Sequence, residues 1–183
     1  MKTVILLRHA KSDWSDTTQR DFDRPLNGRG ERAAALMGQW AKREALQFDA
    51  IIASPAARVK DTFGKFMESY GAFPEPIWDK RVYLASAATL ADVIAEADDD
   101  DDTLLLVGHN PGLEDFVLGH IPDDGRSQLR DDIAEKFPTA AIAVLDFPIE
   151  HWRNLADGSA GNAELRRFIR PRDLDPALGP EHR

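Results

Sequence analysis

Three short apolar runs, at residues 3–7, 50–53 and 103–107, restrict what this chain can fold into more than any other feature of its 183 residues. The first is apolar without interruption rather than alternating, which is the pattern of a parallel strand covered on both faces. Each run ends at a polar break, and the next helical spacing of apolar residues begins some distance beyond it. Repeated units of strand, turn and helix predict an α/β protein with a mostly parallel sheet. Such sheets place their sites outside the carboxyl ends of the strands, so the residues that end the runs are the first candidates for function.

The first run ends on Arg8 and His9. The second is followed by Ser54-Pro55, read as a helix start with Ser54 as N-cap and Pro55 at the first helical position. That assignment puts Arg58 in a first turn, where the helix dipole disfavours a cation by about 0.3–1 kcal/mol and a nearby anion would offset the cost. The third run breaks at Gly108-His109-Asn110-Pro111-Gly112, and Asn110-Pro111 opens a helix with Glu114 and Asp115 in its first turn.

Arg8, His9, Arg58 and His109 therefore come from three strand ends and can converge although they lie far apart in sequence. Two guanidiniums can clamp phosphoryl oxygens with forked hydrogen bonds, and a second imidazole can add a donor. His9 is then the nucleophile, forming a covalent phosphohistidine that water hydrolyses in a second step. Singly, each residue has a plainer reading: a strand-end histidine is commonly structural, and an Arg at a helix start commonly pairs with solvent or a carboxylate. The coincidence of all four points to phosphate chemistry. His120, His151 and His182 read as surface or packing residues.

Composition removes several rivals. A net charge of −9 argues against nucleic-acid binding, which needs a surplus of Lys and Arg on one face. Without cysteine the chain has no disulfide framework, no thiolate nucleophile and no Cys-type zinc site. It has neither a P-loop pattern nor a clustered His and carboxylate metal motif, so no metal and no cofactor are expected. The stretch Gly28-Arg29-Gly30-Glu31-Arg32-Ala33 matches the dinucleotide glycine pattern in form only, because a polar loop precedes it where a strand is required. The apolar run at 4–7 is too short for a signal-peptide core and no later run has membrane-spanning length. The expectation is a soluble cytoplasmic protein of one domain, 1–183, with no membrane partner and a peripheral tail from Pro171.

Between the strand units, residues 11–27 form a long polar loop carrying Lys11, Ser12, Asp13, Trp14, Asp21, Asp23 and Arg24, a candidate lid. Asn27 caps a helix running to about residue 46, with Ala33, Leu36, Met37 and Trp40 on its apolar face. Val59, Phe63, Phe66, Met67 and Tyr70 form the stripe of the helix after Ser54. A short edge strand falls within 76–83, and Ser86 caps a further helix. The five carboxylates at 98–102 lack the spacing and glycine of a calcium loop and read as a solvated connection. A short helix at 129–135 and strands at 139–147 and 164–170 complete the chain.

Leu6 to Ser12, reading Leu-Leu-Arg-His-Ala-Lys-Ser, resembles the signature of the histidine phosphatase superfamily, and Arg-His-Ala resembles its small SixA-type phosphohistidine phosphatase branch. Similar motifs follow in order: Asp23-Arg24-Pro25-Leu26-Asn27 with Arg29-Gly30, Ser54-Pro55-Ala56 with Arg58 and Thr62, Val107 to Gly112, and Lys136-Phe137-Pro138-Thr139. The resemblance covers about residues 3–147. It implies a phosphoglycerate mutase-like three-layer α/β/α sandwich, His9 as the phosphorylated residue, and Arg8, Arg58 and His109 as the phosphate pocket; Ser12 and Asn110 are further candidates for substrate or phosphate binding. Ser15 stands where the mutase branch commonly has Asn, and Asn110 follows His109 where the phytase-like branch has Asp. Tyr83-Leu84-Ala85-Ser86 offers no counterpart of the mutase glutamate acid.

A missing strong acid favours a phosphoramidate, whose imidazole departs more easily than an alkoxide. Glu114, Asp13 or another loop carboxylate are the candidates for an acid. The expected function is a metal-independent phosphatase acting on phosphohistidine in proteins. The alternatives are a phosphatase of small phosphomonoesters and a non-catalytic phosphoryl-binding module.

Overall fold

The computed structural model describes residues 1–180, so His182 lies outside the described residues. Six strands, β1 (Lys2–Arg8), β2 (Ala50–Ala53), β3 (Pro76–Trp78), β4 (Thr103–Gly108), β5 (Ile142–Phe147) and β6 (Glu164–Ile169), form one sheet in the order β3-β2-β4-β1-β5-β6. The pairs β3-β2, β2-β4 and β4-β1 are parallel, and β5 runs antiparallel to both of its neighbours.

The unbroken apolar runs are explained by burial on both faces. Val4 and Leu6 enter one core with α3 (Ala87–Ala95), α4 (Gly112–His120) and α5 (Gln128–Glu135), while Ile5 and Leu7 enter the other with α1 (Gly28–Arg43) and α2 (Ala57–Tyr70). Each of these four side chains is at most 2% exposed, which is worth about 1.5–3 kcal/mol apiece. The fold is thus the three-layer α/β/α arrangement with a mostly parallel sheet that the sequence predicts. Among the described residues, no helix is long and apolar enough to cross a membrane.

Strand register levels the ends that matter. Leu7 lies opposite Val107, and Val107 opposite Ala53, so Arg8, His109 and Ser54 emerge at one rim of the sheet. Because β5 is antiparallel, with Ile142 opposite Leu7, the segment at 136–141 arrives at the same rim. Ala140 there adopts a left-handed backbone (φ 63°), which costs a non-glycine residue about 1–2 kcal/mol, and its N–H reaches the carbonyls of Arg8 and His9.

Asn27 caps α1 as predicted, its side chain accepting from the Gly30 N–H at 2.8 Å. Gly30 has a packing role rather than a nucleotide-binding one: a Cβ there would lie 2.2 Å from the Lys11 carbonyl, so only glycine lets α1 approach the chain beside the site. Ser86 caps α3, accepting from Thr89 N–H at 3.2 Å.

Three expectations are corrected. Ser54 is not the N-cap of α2, which starts at Ala57 with Ala56 as an N-cap that lends no side-chain bond; the Ser54 hydroxyl accepts the Ala56 N–H at 3.3 Å and is engaged by His109. The carboxylates at 98–102 are more than a solvated connection, since Asp99 accepts from the Trp152 N–H and faces His151, while Asp102 meets the buried Lys2 ammonium. The chain from Pro171 folds back, with α6 (Pro171–Leu174) beginning on a buried proline and Leu174 and Leu178 packed against the core under α1 and α2.

Candidate active site

The parallel strand ends deliver His9 and His109 to ring centroids 5.3 Å apart. His9 is nearly buried, and its Nδ1 lies 2.7 Å from its neighbour's carbonyl, that of Ala10. A carbonyl only accepts, so Nδ1 carries the proton and Nε2 keeps its lone pair. Burial is the main reason the His9 pKa falls to about 4; the Ala10 carbonyl opposes the shift, and Arg8 and Arg58 add to it. The imidazole is therefore neutral at pH 7.

His109 is fixed at both nitrogens. Arg58 Nη2 donates to Nδ1 at 3.3 Å, which leaves the proton on Nε2 to donate to Ser54 Oγ at 2.7 Å. Burial, then His9 and Arg58, lower its pKa to about 3. Arg58 is 4% exposed, and α2 holds it through the Thr62 hydroxyl, which donates to the Arg58 carbonyl and accepts the Ala10 N–H at 2.9 Å. One threonine thus ties the helix that carries Arg58 to the residue beside His9.

Arg8 donates through Nη1 to the Phe137 carbonyl at 2.8 Å, while its buried Nε finds no acceptor among the described residues. Burial lowers its pKa, with Glu114 opposing and Arg58 reinforcing the shift. A cleft of about 390 Å³ is lined by Arg8, His9, Ser12, Asp21, Arg58 and Lys136, with Trp14 at its wall. Trp14 is 66% exposed and stacks on the Arg24 guanidinium at 3.6 Å.

Of the six residues singled out from the sequence, Arg8, His9, Arg58 and Ser12 line this cleft, and His109 touches it through His9 and Arg58. Asn110 does not line it. Its amide donates to the Phe137 carbonyl at 3.0 Å and its oxygen accepts the Glu114 N–H at 3.3 Å, so it braces the 136–139 segment. Neither acid named from the sequence lines the cleft: Glu114 acts on Arg8 only through its charge, and Asp13 is turned to the Ser15 N–H.

The lining carboxylate is Asp21, from the short 3-10 turn at Asp21–Asp23. It accepts from Arg58 Nη2 at 3.0 Å and from the Tyr83 hydroxyl, and its carbonyl takes Arg58 Nη1 at 2.8 Å. Burial pushes its pKa up, but the Tyr83 hydroxyl and Arg58 together hold it below the usual carboxylate range. Tyr83 also stands edge-on to His109 at 5.3 Å. Asp21 and Tyr83 were not identifiable as site residues from the sequence. A buried Arg58 demands an anion, yet the polar loop offers several carboxylates and no pattern that selects one. The loop itself is drawn onto the site by the Asp21 contact and by the bridge between Ser12 and Leu26.

Among the described residues, no three His, Asp or Glu side chains are grouped as a metal ion would require. Residues 4–81 match the profile of the histidine phosphatase superfamily (branch 1). The chain is 35% identical over 167 residues to Rv1276c of Mycobacterium tuberculosis, an uncharacterised protein, covering 91% of this chain and all of the relative. It superposes on a structure assigned as phosphohistidine phosphatase SixA from Agrobacterium tumefaciens with a TM-score of 0.76 and 29% identity, over 92% of this chain and 97% of that one. A structure likewise assigned as SixA, from Nakamurella multipartitia, gives a TM-score of 0.78 at 29% identity over 93% and 96% of the two chains. With its strand-end arginines and histidines, its fold and these matches, the chain belongs to the histidine phosphatase superfamily, branch 1.

Proposed function

We propose that this chain is a metal-independent phosphatase that works through a covalent phosphohistidine on His9 and acts on phosphohistidine in proteins. The observation that carries the reading is the pairing of a neutral His9, its Nε2 lone pair free, with a cleft whose lining carboxylate is already ionised. In the first step His9 Nε2 forms a bond to phosphorus as the bond from phosphorus to the substrate nitrogen breaks. Arg8 and Arg58 hold the phosphoryl oxygens, and Arg8 Nε gains the acceptor it lacks. His109 stays neutral, its Nδ1 accepting from Arg58 Nη2 and so holding that guanidinium at the phosphoryl site. Water then attacks phosphorus, the His9 bond breaks, and orthophosphate leaves.

The leaving group decides the substrate class. A phosphoimidazole protonated on its far nitrogen departs as neutral imidazole and needs no acid at the breaking bond. An alkoxide needs one, and Asp21, held as a carboxylate by Tyr83 and Arg58, is unsuited to supply it. The two similar structures assigned as SixA support the same class.

The test is to offer a phosphohistidine peptide and a panel of sugar phosphates, then to trap and map the phosphoenzyme. An acid-labile label on His9, loss of turnover in His9→Ala and preference for the peptide are expected. A faster reaction with sugar phosphates would replace the substrate with a small phosphomonoester. Binding without turnover or label would leave a phosphoryl-binding module.

A further inference from the structure

A second cavity of about 130 Å³ adjoins the catalytic cleft and shares Lys11, Lys136, Pro138 and Thr139 with it. Its remaining polar wall is Arg29 from α1 and Arg170 and Arg172 at α6. Among the described residues, five cations and no carboxylate line it, in a chain whose net charge is −9. Like charges are thus gathered at one spot where the rest of the protein would favour mixing them, and a concave, cationic wall concentrates anions.

The cations differ in how far their own neighbours neutralise them. Arg170 is held by Asp173 at 2.9 Å, and Arg29 donates to the Gly179 carbonyl, which leaves its charge uncancelled. Lys136 and Arg172 make no ion pair among the described residues. The wall is assembled from distant segments: residues 171–180 return beside α1, and Leu178, partly buried, packs against the core behind it.

We propose that this cavity is a second anion site, which seats an acidic side chain flanking the phosphohistidine of a protein substrate. The inference rests on the phosphatase reading above. An extended peptide advances about 3.3 Å per residue, so a Glu or Asp a few positions from the phosphohistidine spans from one cavity to its neighbour across their shared wall. Arg172 and Arg29 then select the substrate without touching the reacting atoms.

The experiment compares two phosphohistidine peptides that differ only in carrying Glu or Gln at the flanking positions, with phosphoramidate as a substrate that reaches the catalytic cleft alone. Wild type should favour the Glu peptide about tenfold, through KM, the factor that two or three partly exposed ion pairs supply. Arg172→Gln should remove most of that preference and leave phosphoramidate turnover unchanged, and raised salt should erode it in wild type. Equal KM values for the two peptides in wild type would overturn the second site while leaving the phosphatase reading intact. If neither peptide is turned over but phosphomonoesters are, the substrate reading fails. The unphosphorylated peptides then serve as competitors of phosphomonoester turnover, and equal inhibition by the Glu and Gln forms would overturn the second site as well.

Discussion

Strand β1 carries a cation near each end, Lys2 buried and Arg8 half-buried with a buried Nε, and the two are treated in opposite ways. At its start Lys2 is 3% exposed and saturated: its ammonium reaches the carbonyls of Asp99 and Asp101 and the carboxylate of Asp102, and lies 5.6 Å from the Trp152 ring centroid. At its end Arg8 has one backbone acceptor, a buried Nε with none, and a second guanidinium, Arg58, close enough to lower its pKa. A buried cation that is fully partnered holds structure together. One left short of partners, among others of its sign, costs stability and binds anions. The contrast separates a structural knot from a binding site on the same strand.

Replacing Arg8 should sharpen this difference most. In Arg8→Met, phosphoryl transfer is expected to fall about 10³-fold or more, the scale on which an arginine acts on a transferring phosphoryl group. Stability is expected to hold or rise, because a half-buried guanidinium whose buried Nε has no acceptor is removed. The Phe137 carbonyl keeps its bond from Asn110. Steady-state kinetics and urea denaturation of the same preparation check both halves, and a large drop in the denaturation midpoint would erase the distinction between the two ends.

These two ends were unequally legible in the sequence. Arg8, His9, Arg58 and His109 stood out because a continuous apolar run fixes where a strand stops, and parallel strands bring their ends together whatever their separation in the chain. Asp21 and Tyr83 were hidden because their contact with Arg58 and His109 depends on how an irregular loop folds, which no periodicity encodes. Ser54 misled for a related reason: its cap-like position before Pro55 was visible, but the imidazole that engages its hydroxyl follows the end of β4. The carboxylates at 98–102 looked solvated because their partners, Lys2 and Trp152, lie at opposite ends of the sequence. The return of the chain from Pro171 likewise rests on a few apolar contacts, Leu174 and Leu178 among them, that carry no local signal.

The same contrast should appear as two pH windows. His9 and His109 have folded-state pKa values of about 4 and about 3, below the ordinary 6.5, so the unfolded chain binds protons that the folded chain refuses. Their contribution to stability is full above about pH 6.5 and is lost as pH falls towards 4 and then 3. At the other end, Asp99, held by the Trp152 N–H and His151, and Asp102, held by Lys2, sit below the usual carboxylate range. Their contribution is lost only below about pH 4. Wild type should therefore lose stability between pH 7 and pH 5, and His109→Gln should lose clearly less over that interval. Denaturation at the two pH values decides it, and equal wild-type midpoints would contradict the burial of neutral imidazoles.

The smallest effect is expected from Lys2→Met, and it tests the structural end alone. Removing the ammonium leaves the Asp99 carbonyl without that donor, whereas the Asp101 carbonyl retains the Trp152 Nε1–H at 2.8 Å. The Asp102 side chain is 74% exposed and can be rehydrated in place. The loss should then be about 1–2 kcal/mol, the scale of hydrogen bonds lost from a charged donor to partly exposed acceptors and well short of a buried charge left alone. Turnover should not change, because Lys2 lies at the opposite end of β1 from His9. A shift in KM with unaltered stability would mean that Lys2 acts on the catalytic rim through β1, and that the two ends of this strand are coupled rather than separate.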